Sequence, residues 1–126
     1  MDSNIYAENI LDHYSNPRNY GQPSSFDTMQ REFNPLCGDE IKIFINLEND
    51  IIKDINFTGN GCAISQASAS ILTEHIKNKN INEVKSYGKE QVLGLLGIDI
   101  GPVRLKCALL SLKAIKQAIQ KLEDEQ

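Results

Sequence analysis

The chain has 126 residues, enough for one domain with a core and too short to leave much room for a second. Hydrophobic residues make up 40% and charged residues 24%, which excludes a disordered chain and predicts a soluble globular one. Thirteen Lys+Arg against 17 Asp+Glu give a net charge of -4, which argues against nucleic acid as the main partner, because phosphate binding needs a basic footprint. No uninterrupted apolar run reaches the ~18–20 residues that cross a bilayer. The start, Met1-Asp2-Ser3-Asn4, has neither the basic nor the apolar region of a secretory signal. The expectation is a single cytoplasmic domain over residues 1–126 with no membrane partner.

In chain order, Ile5 to Tyr14 reads as a short helix with Ile5, Ile10, Leu11 and Tyr14 as its apolar residues. It must stop before Asn16-Pro17, since a residue before proline is pushed out of helical geometry. A turn-rich stretch from Asn16 to Ser25 is expected to carry no regular structure. A strand is expected around Met29 to Asn34. A clearer one runs from Ile41 to Leu47, where Ile41, Ile43, Ile45 and Leu47 share one face at period two. Glu48-Asn49-Asp50 reads as a hairpin connection into Ile51 to Phe57, with Ile51, Ile55 and Phe57 on one face.

Beyond Phe57, the residues Thr58-Gly59-Asn60-Gly61 read as a turn, and Ile64, Ala67, Ile71 and Leu72 mark a helix to about Ile76. Ala63, Ala67 and Ser70 keep that helix thin, so another backbone can approach it. One or two short helices, interrupted by Gly88 and Gly94, fill Ile81 to Gly97. The last helix begins at Pro102, a favoured first-turn residue, and runs to about Leu122. Its buried stripe is Val103, Cys107, Leu110, Ala114, Ala118 and Leu122, while Lys106, Lys113, Lys116 and Gln120 face elsewhere. Strands first and helices after them predict an α+β domain: a small three-stranded antiparallel sheet with helices packed on one face.

Three cysteines, Cys37, Cys62 and Cys107, cannot all pair within one chain, and a reducing compartment makes a disulfide unexpected. If Cys37-Gly38-Asp39 is extended, the thiol and the carboxylate point to the same side. Cys62 follows a glycine-rich turn at a helix start, and Cys107 lies about one turn inside the last helix. Thiols near helix N-termini feel the positive end of the dipole, which favours the metal-binding thiolate. Three thiolates and one carboxylate would fill a tetrahedral shell around a zinc-sized ion. Free cysteines also serve simply as small buried hydrophobes. The separations match no compact zinc-finger pattern, so any metal site must be assembled by the tertiary fold. His13 reads as a capping or surface residue, and His75 as a charged imidazole suited to a helix end. A cysteine hydrolase pairing one thiol with a histidine is an alternative that leaves two cysteines without a role. The lysines of the last helix form a solvated face or dock an acidic partner.

Four segments together resemble a known family. Asp12-His13-Tyr14-Ser15-Asn16-Pro17-Arg18-Asn19, Asn34-Pro35-Leu36-Cys37-Gly38-Asp39, Gly59-Asn60-Gly61-Cys62-Ala63-Ile64-Ser65 and Arg104-Leu105-Lys106-Cys107-Ala108 are similar, in order, to the motifs of the U-type iron–sulfur cluster assembly proteins. That family contains IscU, SufU and the N-terminal domain of NifU. The resemblance implies Cys37, Asp39, Cys62 and Cys107 as ligands of Zn2+, of iron or of a [2Fe–2S] cluster. It implies a pyridoxal-phosphate cysteine desulfurase as sulfur donor, and apo iron–sulfur proteins or a cluster-building complex as recipients. Cys37 is expected to accept the persulfide sulfur, because its loop beside Gly38 should move most, with Cys107 the second choice. The alternative role is a scaffold on which a [2Fe–2S] cluster is built and then transferred.

Within the family, Lys106 stands where IscU-type proteins have histidine. Ile100-Gly101-Pro102-Val103-Arg104 departs from their Leu-Pro-Pro-Val-Lys chaperone segment. Lys106 and Ser65-Gln66-Ala67-Ser68-Ala69-Ser70 look more like SufU, without the insertion SufU proteins carry between the second and third cysteines. Lys106, normally protonated, is expected to stay out of the metal shell.

Overall fold

Ile41, Ile43 and Ile45 are wholly buried on one face of a central strand, and the rest of the molecule is arranged around that face. A computed structural model describes residues 3–35 and 38–125. Its elements are α1 (Ser3–Ser15), β1 (Thr28–Asn34), β2 (Asp39–Glu48), β3 (Ile51–Asn60), α2 (Ala63–Ile76), α3 (Ile81–Lys85), α4 (Lys89–Leu96) and α5 (Pro102–Asp124). The three strands form an antiparallel sheet in the order β1-β2-β3. α5 lies across β1 and β2, and α2 packs between α5, α1 and β3. This is the expected α+β architecture. None of the described helices is long and apolar enough to cross a membrane.

The β2–β3 hairpin closes through Asn49 and Asp50, both at positive φ (53° and 65°), the backbone of a two-residue turn that matches strand twist. A register shift at Asn46/Leu47 then changes which isoleucine is buried. Asn46 pairs with Asp54 and Leu47 with Ile52, so Lys53 is the extra residue and the alternation of β3 is reset. Ile52, not Ile51, joins Ile55 and Phe57 in the core. Strict alternation from the sequence could not register a bulge.

β3 also runs through Asn60, so Thr58-Gly59-Asn60 is strand rather than turn. Gly59 is needed there because a Cβ would strike the carbonyl oxygen of Glu40 on the paired strand. The Asn16–Ser25 stretch is irregular, as expected, apart from a short contact along the outer edge of β3. The N–H of Phe57 donates to Asn19 O at 2.9 Å and the N–H of Gly21 to Phe57 O at 2.8 Å. That pairing covers an otherwise open strand edge.

On α1, Ile10 is buried while Leu11 and Tyr14 are exposed, and the residue that shares the buried side with Ile10 is His13. His13 is thus not a surface residue: its Nδ1 lies 2.7 Å from Ser70 Oγ on α2, at the thin face that the small residues provide. His75 is exposed and sits 3.2 Å from Tyr87 Oη. Partial burial pushes its pKa down, which opposes the charged form expected at a helix end. Gly88 precedes α4 as its N-cap, whereas Gly94 lies inside that helix and interrupts nothing. Along α5 the expected stripe is buried from Cys107 through Ala118, with Leu122 half-buried. Val103 is 72% exposed, because the first turn of α5 edges an open hollow rather than the core.

Candidate metal centre

The start of β2, the start of α2 and the second turn of α5 meet at one end of the sheet. Each delivers one side chain of a type that can ligate a metal. Asp39, Cys62 and Cys107 place one ligand atom apiece within 4.8 Å of one another. Asp39 is 1% exposed and Cys107 2%, while Cys62 is half-buried. They border a hollow of about 340 Å³, also lined by Gly38, Asn60, Gly61, Val103 and Arg104.

Local bonding fixes two of the three. Cys62 is the N-cap of α2, and its Sγ accepts the N–H of Ser65 at 3.5 Å. Ser65 Oγ in turn donates to the Cys62 carbonyl at 3.1 Å. The N–H of Cys62 donates to Asp39 Oδ1 at 3.1 Å, and Asp39 Oδ2 stands 3.8 Å from Cys62 Sγ. Gly61 makes this approach possible: a Cβ there would strike Ser65 Oγ and come within 2.6 Å of Asp39 Oδ1.

The donor set suits a zinc-sized ion. A sulfur at ~2.3 Å and a carboxylate oxygen at ~2.0–2.2 Å from a tetrahedral zinc lie ~3.5–3.7 Å apart, close to the 3.8 Å between Cys62 Sγ and Asp39 Oδ2. The Cys107 sulfur lies within 4.8 Å of both.

Of the four expected ligands, the fold brings three together; Cys37 lies outside the described residues. The argument that Cys37 and Asp39 share one side of an extended segment does not hold at Gly38. That glycine has φ +74° and its N–H donates back to Asn34 O at 2.8 Å, the backbone of a turn. Three further contributors stand in the quoted motifs, where sequence reasoning assigned them no role. Gly61 and Ser65 shape the bonding of Cys62, and Arg104 borders the hollow from one helical turn before Cys107. The i, i+3 spacing of Arg104 and Cys107 was the available signal.

The family description "NifU-like N terminal domain" matches residues 5–126. The zinc-dependent sulfurtransferase SufU of Bacillus subtilis (strain 168) is 38% identical, covering 94% of this chain and 92% of its own. That alignment spans 136 positions, more than the 126 residues of this chain, so the relative carries residues opposite gaps here. The iron–sulfur cluster assembly scaffold protein IscU of Buchnera aphidicola subsp. Acyrthosiphon pisum is 39% identical over 90% of this chain and 91% of its own. A crystal structure from Fervidobacterium islandicum AW-1, described as an iron–sulfur cluster assembly scaffold for the SUF system, superposes with a TM-score of 0.80. It is 28% identical and covers 94% of this chain and 99% of its own. The chain belongs to the NifU-like N-terminal domain family, the U-type proteins that include IscU and SufU.

Proposed function

We propose that this chain takes persulfide sulfur from a pyridoxal-phosphate cysteine desulfurase at a zinc-bound thiolate site, and passes it to cluster assembly in the cytoplasm. The convergence of Asp39, Cys62 and Cys107 within 4.8 Å carries this reading, because it gathers one carboxylate and two thiols, donors of the kind that bind zinc, at one point. Cys37, Asp39, Cys62 and Cys107 would hold the ion, and bound zinc would keep the thiols deprotonated and ordered. A carboxylate is a weaker partner than a thiolate at a soft site, so Asp39 suits a ligand set that must exchange.

Cys37 is the proposed acceptor. Cys107 is nearly inaccessible and Cys62 half-buried, whereas Gly38, next to Cys37, is exposed and borders the hollow. The Cys37 thiolate attacks the outer sulfur of the donor persulfide and forms a new S–S bond. The donor's S–S bond breaks, and its electron pair leaves on the desulfurase cysteine as a thiolate. No external oxidant or reductant is needed. Apo iron–sulfur proteins or a cluster-building complex receive the sulfur.

A second reading has its own support: relatives such as the Buchnera protein are named as scaffolds for cluster assembly. In that reading the same four residues of this chain would hold a [2Fe–2S] cluster for later transfer. Peptide mass analysis after incubation with desulfurase and cysteine separates the two. Added sulfur on Cys37, lost in Cys37→Ser, supports relay. A stable [2Fe–2S] cluster, assembled faster than sulfur is passed on, would replace relay by the scaffold reading.

A further inference from the structure

A second concavity of about 650 Å³ runs along the outer side of α5, between that helix, the end of β1 and the start of α4. Lys106, Lys113 and Lys116 project along it from α5, and Lys89 from α4. Its apolar lining includes Phe33, which is 49% exposed, and Leu109. Four of the chain's 13 basic residues thus surround one groove in a protein of net charge -4. None of the described residues lining it is acidic.

Lys113 is 3.3 Å from Glu32, and Lys116 donates to Tyr87 O at 2.7 Å. Lys89 and Lys106 are exposed and have no ion-pair partner among the described residues. Lys106, Leu109, Lys113 and Lys116 follow the i, i+3, i+7, i+10 spacing of one helix face. Ten residues of helix span ~15 Å, about the length of five residues of extended chain.

We propose that this groove docks a short acidic segment of a partner protein, in which apolar side chains meet Phe33 and Leu109 while carboxylates meet the lysines. A small anion would reach one or two of the spread lysines and gain nothing from the apolar lining. The groove adjoins the metal centre: Lys106 precedes Cys107, and Asn34, which lines the groove, pairs in register with Asp39. A partner held here is brought to the mouth of the thiol hollow. Naming that partner as a sulfur donor or recipient rests on the function proposed above; the docking itself does not.

The test is a titration of the isotopically labelled full chain with a ten-residue peptide that alternates Asp and Glu with Leu and Phe. Its control replaces every acid by the corresponding amide. The acidic peptide should bind roughly tenfold tighter than the control and weaken with salt. The perturbed amides should cluster at Phe33, Lys89, Leu109 and Lys113. Lys89→Glu combined with Lys106→Glu should weaken binding at least about tenfold without changing the circular dichroism or the zinc content. Equal binding of the amide peptide, undiminished binding by the double variant, or perturbations elsewhere would overturn the proposal. So would reproduction of the same map by inorganic phosphate or by phosphatidylserine vesicles. Because the titration reads neither sulfur nor zinc, it can fail while the relay stands, and the reverse.

Discussion

Asp39 holds Cys62 with both carboxylate oxygens: Oδ1 accepts the Cys62 N–H at 3.1 Å, and Oδ2 stands 3.8 Å from the Cys62 sulfur. One side chain thus fixes the backbone at the start of α2 and presents an oxygen to the candidate metal centre. The two roles are separable by substitution. Asp39→Asn keeps an acceptor for the N–H and loses the charge, so zinc affinity should fall while the metal-free melting temperature changes little. Asp39→Ala removes the acceptor as well and should lower metal-free stability by about 1–3 kcal/mol. Asp39→Cys should tighten zinc through a fourth thiolate and slow sulfur transfer. Chelator competition and thermal melts on the three variants check this; equal melting of Asn and Ala variants would remove the structural role.

Gly61 offers an independent probe of the same contact. A methyl group there meets Ser65 Oγ and Asp39 Oδ1, both of which are nearly inaccessible. Gly61→Ala should displace the carboxylate, destabilise the fold by about 1–3 kcal/mol and weaken zinc. Calorimetry with and without one equivalent of zinc measures both effects.

His13 predicts a pH dependence. Burial holds its imidazole below the ordinary value of 6.5, and Arg18 pushes the same way, outweighing the pull of Asp12 and Glu74. A neutral ring suits its place 2.7 Å from Ser70 Oγ, a hydroxyl that also accepts the N–H of Arg18 at 2.8 Å. Below about pH 6.5 the unfolded chain binds a proton that the folded chain resists, so stability falls as the pH drops. His75 contributes in the same direction. The carboxylates of Asp12, Glu40 and Glu48, held low by Arg18, Arg31 and Lys53, act in a separate, more acidic window. His13→Gln should flatten the decline between about pH 7.5 and 5.5, from a baseline lowered by about 1 kcal/mol. An unchanged slope in that variant would show that His13 does not titrate with folding.

Period-two alternation in β2, the Asn49-Asp50 turn and Pro102 at the first turn of α5 were legible because each depends on local chemistry alone. The bulge that exchanges Ile51 for Ile52 was not, since it is set by pairing across two strands. His13 and Val103 were misjudged for a related reason. Tertiary packing decides that a polar ring on α1 meets Ser70, and that the first turn of α5 faces a hollow. The candidate metal centre was open on spacing alone, and its residues were named through the resemblance of four motifs in family order. Its assembly from β2, α2 and α5 is a property of the fold, visible only when Asp39, Cys62 and Cys107 are placed together.

Zinc content of Cys62→Ser beside the wild type tests the metal centre most directly. Cys62 caps α2 through its side chain, and serine is a favoured residue at that position. The substitution therefore preserves the helix start while removing a soft ligand. We expect about one zinc per chain in the wild type and almost none in Cys62→Ser. The metal-free proteins should show the same circular dichroism, and the variant should melt below the zinc-loaded wild type. A Cys62→Ser protein that retains the full complement of zinc would contradict the assignment of Asp39, Cys62 and Cys107 as one metal centre.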